Sequence, residues 1–216
     1  MSREVPVRFC ERREVRLLPA THHVAGFEHR DDAERFLADL CGRFAKFGLE
    51  LHPEKTRLIE FGRFAAEQRA RRGDRKPETF EFLGFTHICA KNKHGRFKLK
   101  RVTSKKKMRA KLHAVKTEMR RRKHHPIPDQ GRWLASVLRG HYRYYAVPDN
   151  SEALRDFRRQ VTRHWRQALA RRSQKGRITW ERASRLADRW LPQPRILHPW
   201  PQARFDARTQ GRSPVR

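Results

Sequence analysis

Apolar positions recur every three or four residues between 130 and 172. Trp133, Leu134, Val137, Leu138, His141, Tyr142 and Tyr145 fall on one face, which predicts a helix with an apolar, aromatic stripe. Val147-Pro148-Asp149-Asn150 interrupts it, because proline drives the residue before it out of the helical region. A second helix follows, with Ser151 as its expected N-cap and Glu152 in its first turn. One side of it carries Leu154, Phe157, Val161, Trp165, Ala168 and Leu169; the other carries Arg155, Arg158, Arg159, Arg163, Arg166, Arg171 and Arg172. The pair reads as two helices joined along an apolar seam with arginines outward.

The rest of the chain is mixed. Residues 1–25 show no clear period, and Pro19-Ala20-Thr21-His22-His23 looks like a turn or link. A helix is expected over 31–47, capped by Asp31 with Glu34, its buried stripe formed by Phe36, Leu37, Leu40, Cys41, Phe44 and Phe47. Gly48 is placed as its C-cap. Alternation predicts strands over 49–52 and through Leu58, Ile59 and Phe61, then a basic loop over 63–76. Residues 78–89 are again strand-like, with Gly84 suggesting a bulge; His94-Gly95 then turns the chain into an edge strand over 96–101. From Thr103 the period is helical. Met108, Leu112, Val115 and Met119 line a helix ending near Lys123, and Trp180, Ala183, Leu186, Ala187 and Trp190 form the packing side of a last one. Pro192 and Pro194 end that helix, and the tail to Arg216 is expected to be loosely ordered.

Charge changes the picture. The 216 residues hold 53 Lys plus Arg against 23 Asp plus Glu, a formal net charge of +30, with 37% hydrophobic residues. Such an excess repels itself in the compact state and favours a polyanionic partner, nucleic acid before a membrane surface. No apolar run reaches the roughly 18 residues a bilayer crossing needs, and residues 1–16 are too charged for a secretory signal. Cys10, Cys41 and Cys89 form no C-x-x-C pair, so zinc fingers and a disulfide framework are not expected and a reducing cytoplasm is the expected compartment. Cys41, on an apolar stripe, reads as a small core residue, and His22-His23 as loop residues rather than metal ligands.

Several motifs in order resemble the C-terminal half of a bacterial group II intron reverse transcriptase/maturase, from about Gly26 to Pro201. Gly26-Phe27 with Asp32-Ala33-Glu34-Arg35-Phe36 is similar to the segment after the polymerase active-site turn. Leu49-Glu50-Leu51-His52-Pro53-Glu54-Lys55-Thr56 and the primer-grip-like Phe82-Leu83-Gly84-Phe85 resemble the palm motifs that follow. Gly140-His141-Tyr142-Arg143-Tyr144-Tyr145, among basic helices, resembles the thumb and the maturase-specific domain X. The resemblance implies an α+β chain: a divergent segment 1–25, a reverse-transcriptase palm remnant over 26–101 (one helix plus a few antiparallel strands), an all-helical basic thumb/maturase module over 102–195, and a tail 196–216.

The family's Tyr-Ala-Asp-Asp turn should precede Val24, where this chain has Pro19-Ala20-Thr21-His22-His23. Nucleotidyl transfer needs carboxylates to hold two divalent metals. Polymerase activity by this chain alone is therefore not expected, Asp31-Asp32 read as helix N-terminal residues, and residues 1–25 read as out-of-register or foreign sequence fused to a truncated frame. Lys55, near the polymerase site in the family, has no obvious chemical task here. The implied partner is group II intron RNA, with DNA or an RNA/DNA hybrid second; no cofactor is expected for this chain, Mg²⁺ serving the full-length family. The expected RNA-binding residues are Lys105, Lys106, Lys107, Arg109, Lys111, Arg120, Arg121, Arg122, Arg139, Arg143, Tyr144, Arg158, Arg159, Arg163, Arg166, Arg171 and Arg172. Tyr142 and Trp165 read as core, Tyr144 as the exposed stacking residue. The alternatives are a reverse transcriptase active only with its missing palm and fingers, and a non-functional remnant or generic basic RNA-binding protein.

Overall fold

The structure, a computed structural model, describes residues 7–9, 23–53, 56–172 and 178–200. Residues 19–22, Cys10, Lys55, Gly176 and the tail beyond Trp200, on which some sequence expectations rest, lie outside the described residues. The fold is α+β, in two compact units divided between Lys100 and Arg101.

The first unit has two small sheets. In one, β1 (Val7–Phe9) pairs antiparallel with both β2 (His23–Ala25) and β3 (Arg57–Leu58), in the register Val7 opposite Ala25 and Val7 opposite Leu58. Between β2 and β3 runs α1 (Arg30–Ala45). His29, not Asp31, occupies its N-cap, and no side chain caps it. Glu34, expected in the cap with Asp31, is engaged by Arg30 at 2.6 Å instead, and Asp32 pairs with Arg35. Lys46, not Gly48, is the C-cap of α1; Gly48, at a φ of +67°, closes the turn just beyond, with Leu49 and Gly48 donating to the carbonyls of Phe44 and Ala45. The expected buried stripe is corrected. Only Ala33 of α1 is fully buried; Phe36, Cys41 and Phe47 are exposed, and Leu37, Leu40 and Phe44 half-buried. Residues 49–52 form no strand, since no neighbouring strand pairs with them among the described residues.

The expected basic loop contains a short helix, α2 (Ala65–Arg71). Residues 78–89 are not one bulged strand. β4 (Phe80–Phe82) and β5 (Phe85–Lys91) form a hairpin with Phe82 opposite Phe85. Leu83 and Gly84, at φ +47° and +77°, make its two-residue turn, and positive φ at both places is the type I′ turn that suits strand twist. Phe61 meets Phe80 edge-on at 5.0 Å, and His87 stacks on Phe80 at 4.7 Å, which fixes the hairpin's inner face. β6 (Phe97–Thr103) is an edge strand, as its alternation predicted.

The second unit is helical: α3 (Lys105–Arg121), α4 (Ile127–Tyr145), α5 (Ser151–Ala170) and α6 (Trp180–Trp190). Here the periodic stripes are the core. Val115 and Met119 of α3, Leu134, Leu138 and Tyr142 of α4, and Leu154, Phe157, Val161 and Trp165 of α5 pack in one cluster, reached by Ala187 and Leu191. Each large side chain so buried contributes roughly 1.5–3 kcal/mol.

Two buried amides tie the helices at their ends. Gln130 accepts from the Trp165 indole N–H at 2.7 Å and donates to the Arg122 carbonyl at 2.6 Å. Asn150 accepts from the Thr103 backbone at 2.9 Å and donates to Thr103 Oγ1 and the Tyr145 carbonyl. Asn150, not Ser151, is the residue before α5, and its side chain turns away from the helix it precedes. The backbone N–H groups of Leu197 and His198 both bond the Ala146 carbonyl, so this part of the expected loose tail is docked on the end of α4.

Candidate nucleic-acid interface

The packing that buries one face of each helix in the second unit leaves the polar face to solvent. On α3 that face is almost wholly cationic. Lys105, Lys106, Lys107, Arg109, Lys111 and Arg120 are exposed and make no ion pair among the described residues. Arg121 reaches Glu118 at 3.7 Å. Arg122 is different: it pairs with Glu118 at 2.7 Å and lies 5.0 Å from the Trp133 ring centre, so it helps join α3 to α4. On α4, Arg139, Arg143 and Tyr144 are exposed as expected.

The α5 arginines, expected to point outward together, divide into two groups. Arg155, Arg159, Arg163 and Arg171 are exposed, Arg159 with Asp156 at 2.8 Å. Arg158, Arg166 and Arg172 are turned to structural tasks. Arg158, its side chain only 16% exposed, donates to the Ala187 carbonyl at 3.1 Å and pairs with Asp188 at 3.0 Å, clamping α6 to α5. Arg172 donates to the carbonyls of Lys123 and His125 at the end of α3. Arg166 donates to the Ile178 carbonyl at 3.1 Å and lies over the Trp180 ring at 4.6 Å.

In the helical unit, periodicity misplaced Trp180. Its spacing with Ala183 and Ala187 puts it on the packing face of α6, yet its side chain is half in solvent, in the first turn, against α5. Beside it lies a groove of about 600 Å³ lined by Arg159, Arg163 and Arg166. A second groove, of about 560 Å³, lies along Arg155, Arg158 and Arg159 and also borders Trp180. Half-buried arginine with aromatic surface is the signal that would have found it.

Burial acts on the titratable groups behind this surface. Burial first, and the Lys111 charge second, push the His141 pKa down to about 4. Burial pushes Tyr142 up to about 12, and His164 is lowered, again chiefly by burial. His141 stacks on Phe157 at 3.8 Å, which confirms its place in the stripe.

The Phe82-Leu83-Gly84-Phe85 motif belongs to the first unit, at a hairpin tip: Phe85 is buried and Leu83 exposed. Asp31 and Asp32 sit in the first turn of α1, Asp32 with Arg35, and no three His, Cys, Asp or Glu among the described residues converge to hold a metal. No described helix is long and apolar enough to cross a membrane. No family model matches the chain, and none of the curated proteins matches it either.

Proposed function

We propose that the chain is an RNA-binding protein of the maturase type, holding structured intron RNA on the cationic surfaces of α3 and α5 in the cytoplasm. In this reading the first unit is a reverse-transcriptase palm remnant and the second is thumb plus domain X; the RNA, not the protein, performs the splicing chemistry. The observation that carries it is the two-sidedness of α3 and α5. Their apolar faces share one core, while their outer faces hold cations largely free of acidic partners. A surface kept soluble by charge needs no such single-sign excess.

Phosphates released of their counterions supply the affinity, and arginine's planar fork holds them bidentately. Tyr144, exposed beside Tyr145 with the rings 4.8 Å apart, offers an aromatic edge to unpaired bases. Filter binding of a self-splicing group II intron RNA and of unrelated structured RNA, at about 0.2 M salt, tests the reading. A clear preference for the intron RNA is expected. Equal binding would reduce the protein to a generic polycation, and template copying by the chain alone with Mg²⁺ would replace the reading with an enzymatic one.

A further inference from the structure

The indole of Trp180 is 49% exposed although it opens a helix whose other apolar residues, Ala183, Leu186, Ala187 and Trp190, are buried or half-buried. One of its faces is covered. Arg166 lies over the ring at 4.6 Å and is fixed there by its bond to the Ile178 carbonyl. Arg166 lines the first groove and not the second, whereas Trp180 borders both. The ring therefore stands between two grooves, with the Arg166 guanidinium lining the first and absent from the second. The second groove, on the open face, is bounded by Arg155, Thr162, Ser184, Asp188 and Gln193, and Asp188 is held by Arg158 at 3.0 Å.

We propose that this ring is the seat of an unpaired RNA base, which stacks on the open face of Trp180 while its flanking phosphates reach Arg155, Arg159 and Arg163. The inference rests on the RNA-binding reading above and narrows this part of the surface to single-stranded nucleotides. Three features favour that ligand. A base in a duplex has both faces covered by its neighbours, so a ledge inside a groove can only receive an unpaired one. Stacking is tolerant of base identity because every base has a π-face, and an arginine behind the indole holds that indole rigid for it. Ser184, Thr162 and Gln193, which line the same groove, add hydroxyl and amide groups that can bond a base edge. At 1.5 Å of rise per residue, Arg155 and Arg163 stand roughly 12 Å apart along α5, enough to hold phosphates on either side of one nucleotide.

The test uses the full chain and three probes of matched length: oligouridylate, the same ribose-phosphate backbone without bases, and an RNA duplex. The protein is expected to bind oligouridylate about tenfold more tightly than the abasic strand. Trp180→Ala should remove most of that preference, leaving what Tyr144 supplies, and keep abasic and duplex affinities within about twofold, whereas Trp180→Phe should keep most of it. Arg163→Ala should weaken all probes alike. A preference unchanged in Trp180→Ala, or one absent from the unaltered protein, overturns this site while leaving RNA binding intact. Failure of the unaltered protein to bind any of the three overturns the RNA-binding reading with it. Should Trp180→Ala not fold, Trp180→Leu, which keeps apolar bulk without a π-face, takes its place: a lost preference supports the site and an unchanged one overturns it.

Discussion

His141 shows how much a single polar side chain governs in the helical unit. It is buried between Phe157 and Tyr145, its Nε2 has no hydrogen-bond partner, and its pKa is pushed down to about 4. In the unfolded chain the same imidazole takes a proton near its ordinary 6.5. Between those pH values the unfolded state binds more protons, so stability is full above the window and falls as the pH drops through it. The loss should approach roughly 3 kcal/mol by pH 4. Urea midpoints on either side of the window measure it, and His141→Phe should flatten most of the slope; His164, shifted the same way, keeps a remainder. A slope untouched by that substitution would place the acid sensitivity elsewhere. Gln130 makes the opposite case, a buried amide fully engaged. Gln130→Leu strands the Trp165 N–H, while the Arg122 carbonyl keeps its bond from the His125 N–H, and should cost roughly 1–3 kcal/mol, read from the denaturation midpoint. A loss below about 1 kcal/mol would mean that water replaces it freely.

Helices packed on other helices were the readable elements; elements with little to pack against were not. The stripes of α4 and α5 follow their residues into the core because each faces several partners. α1 has an equally regular stripe, but Phe36 and Phe47 remain exposed, since the first unit sets little besides Ala25, Phe27, Leu51 and Leu58 against it. α2 was invisible because its seven residues, AAEQRAR, hold no apolar period. The hairpin turn was missed because Leu83 occupies a positive-φ position where Asn is the usual signal. Trp180 was read as core for its spacing, which says nothing of whether a helix's first turn is covered. The same limit hid the division among the arginines: a sequence places Arg158, Arg166 and Arg172 on a polar face but not beside the carbonyls they bind. One close approach is testable at this scale. A Cβ on Gly131 would lie 2.6 Å from Trp190 Cγ, so α4 and α6 touch only because that residue is glycine. Gly131→Ala should lower stability by about 1–3 kcal/mol, with Trp190 fluorescence reporting the shift. An unchanged midpoint would show that Trp190 moves aside without loss.

At the scale of the whole molecule, charge is the dominant fact. A net +30 works against compaction, and the helical unit tolerates it by turning some arginines inward to carbonyls and aromatic rings while leaving others on its surface. The inward group joins helices; the outward group, with Lys105, Lys106, Lys107 and Arg109 on α3, is what a polyanion would meet. These two groups should accordingly behave differently. Alanine at Arg155, Arg159 and Arg163 should leave folding intact and weaken RNA binding, whereas alanine at Arg158 should loosen α6. The most direct measurement is the affinity for a structured RNA across a salt series. For six or more phosphate contacts, binding should weaken on the order of 10³-fold or more from about 50 to 200 mM salt. The triple alanine variant should lower the log–log slope by about 0.7–0.9 for each contact removed. A chain that ignores structured RNA at the lowest salt, or whose slope is the same with and without those arginines, would contradict the account.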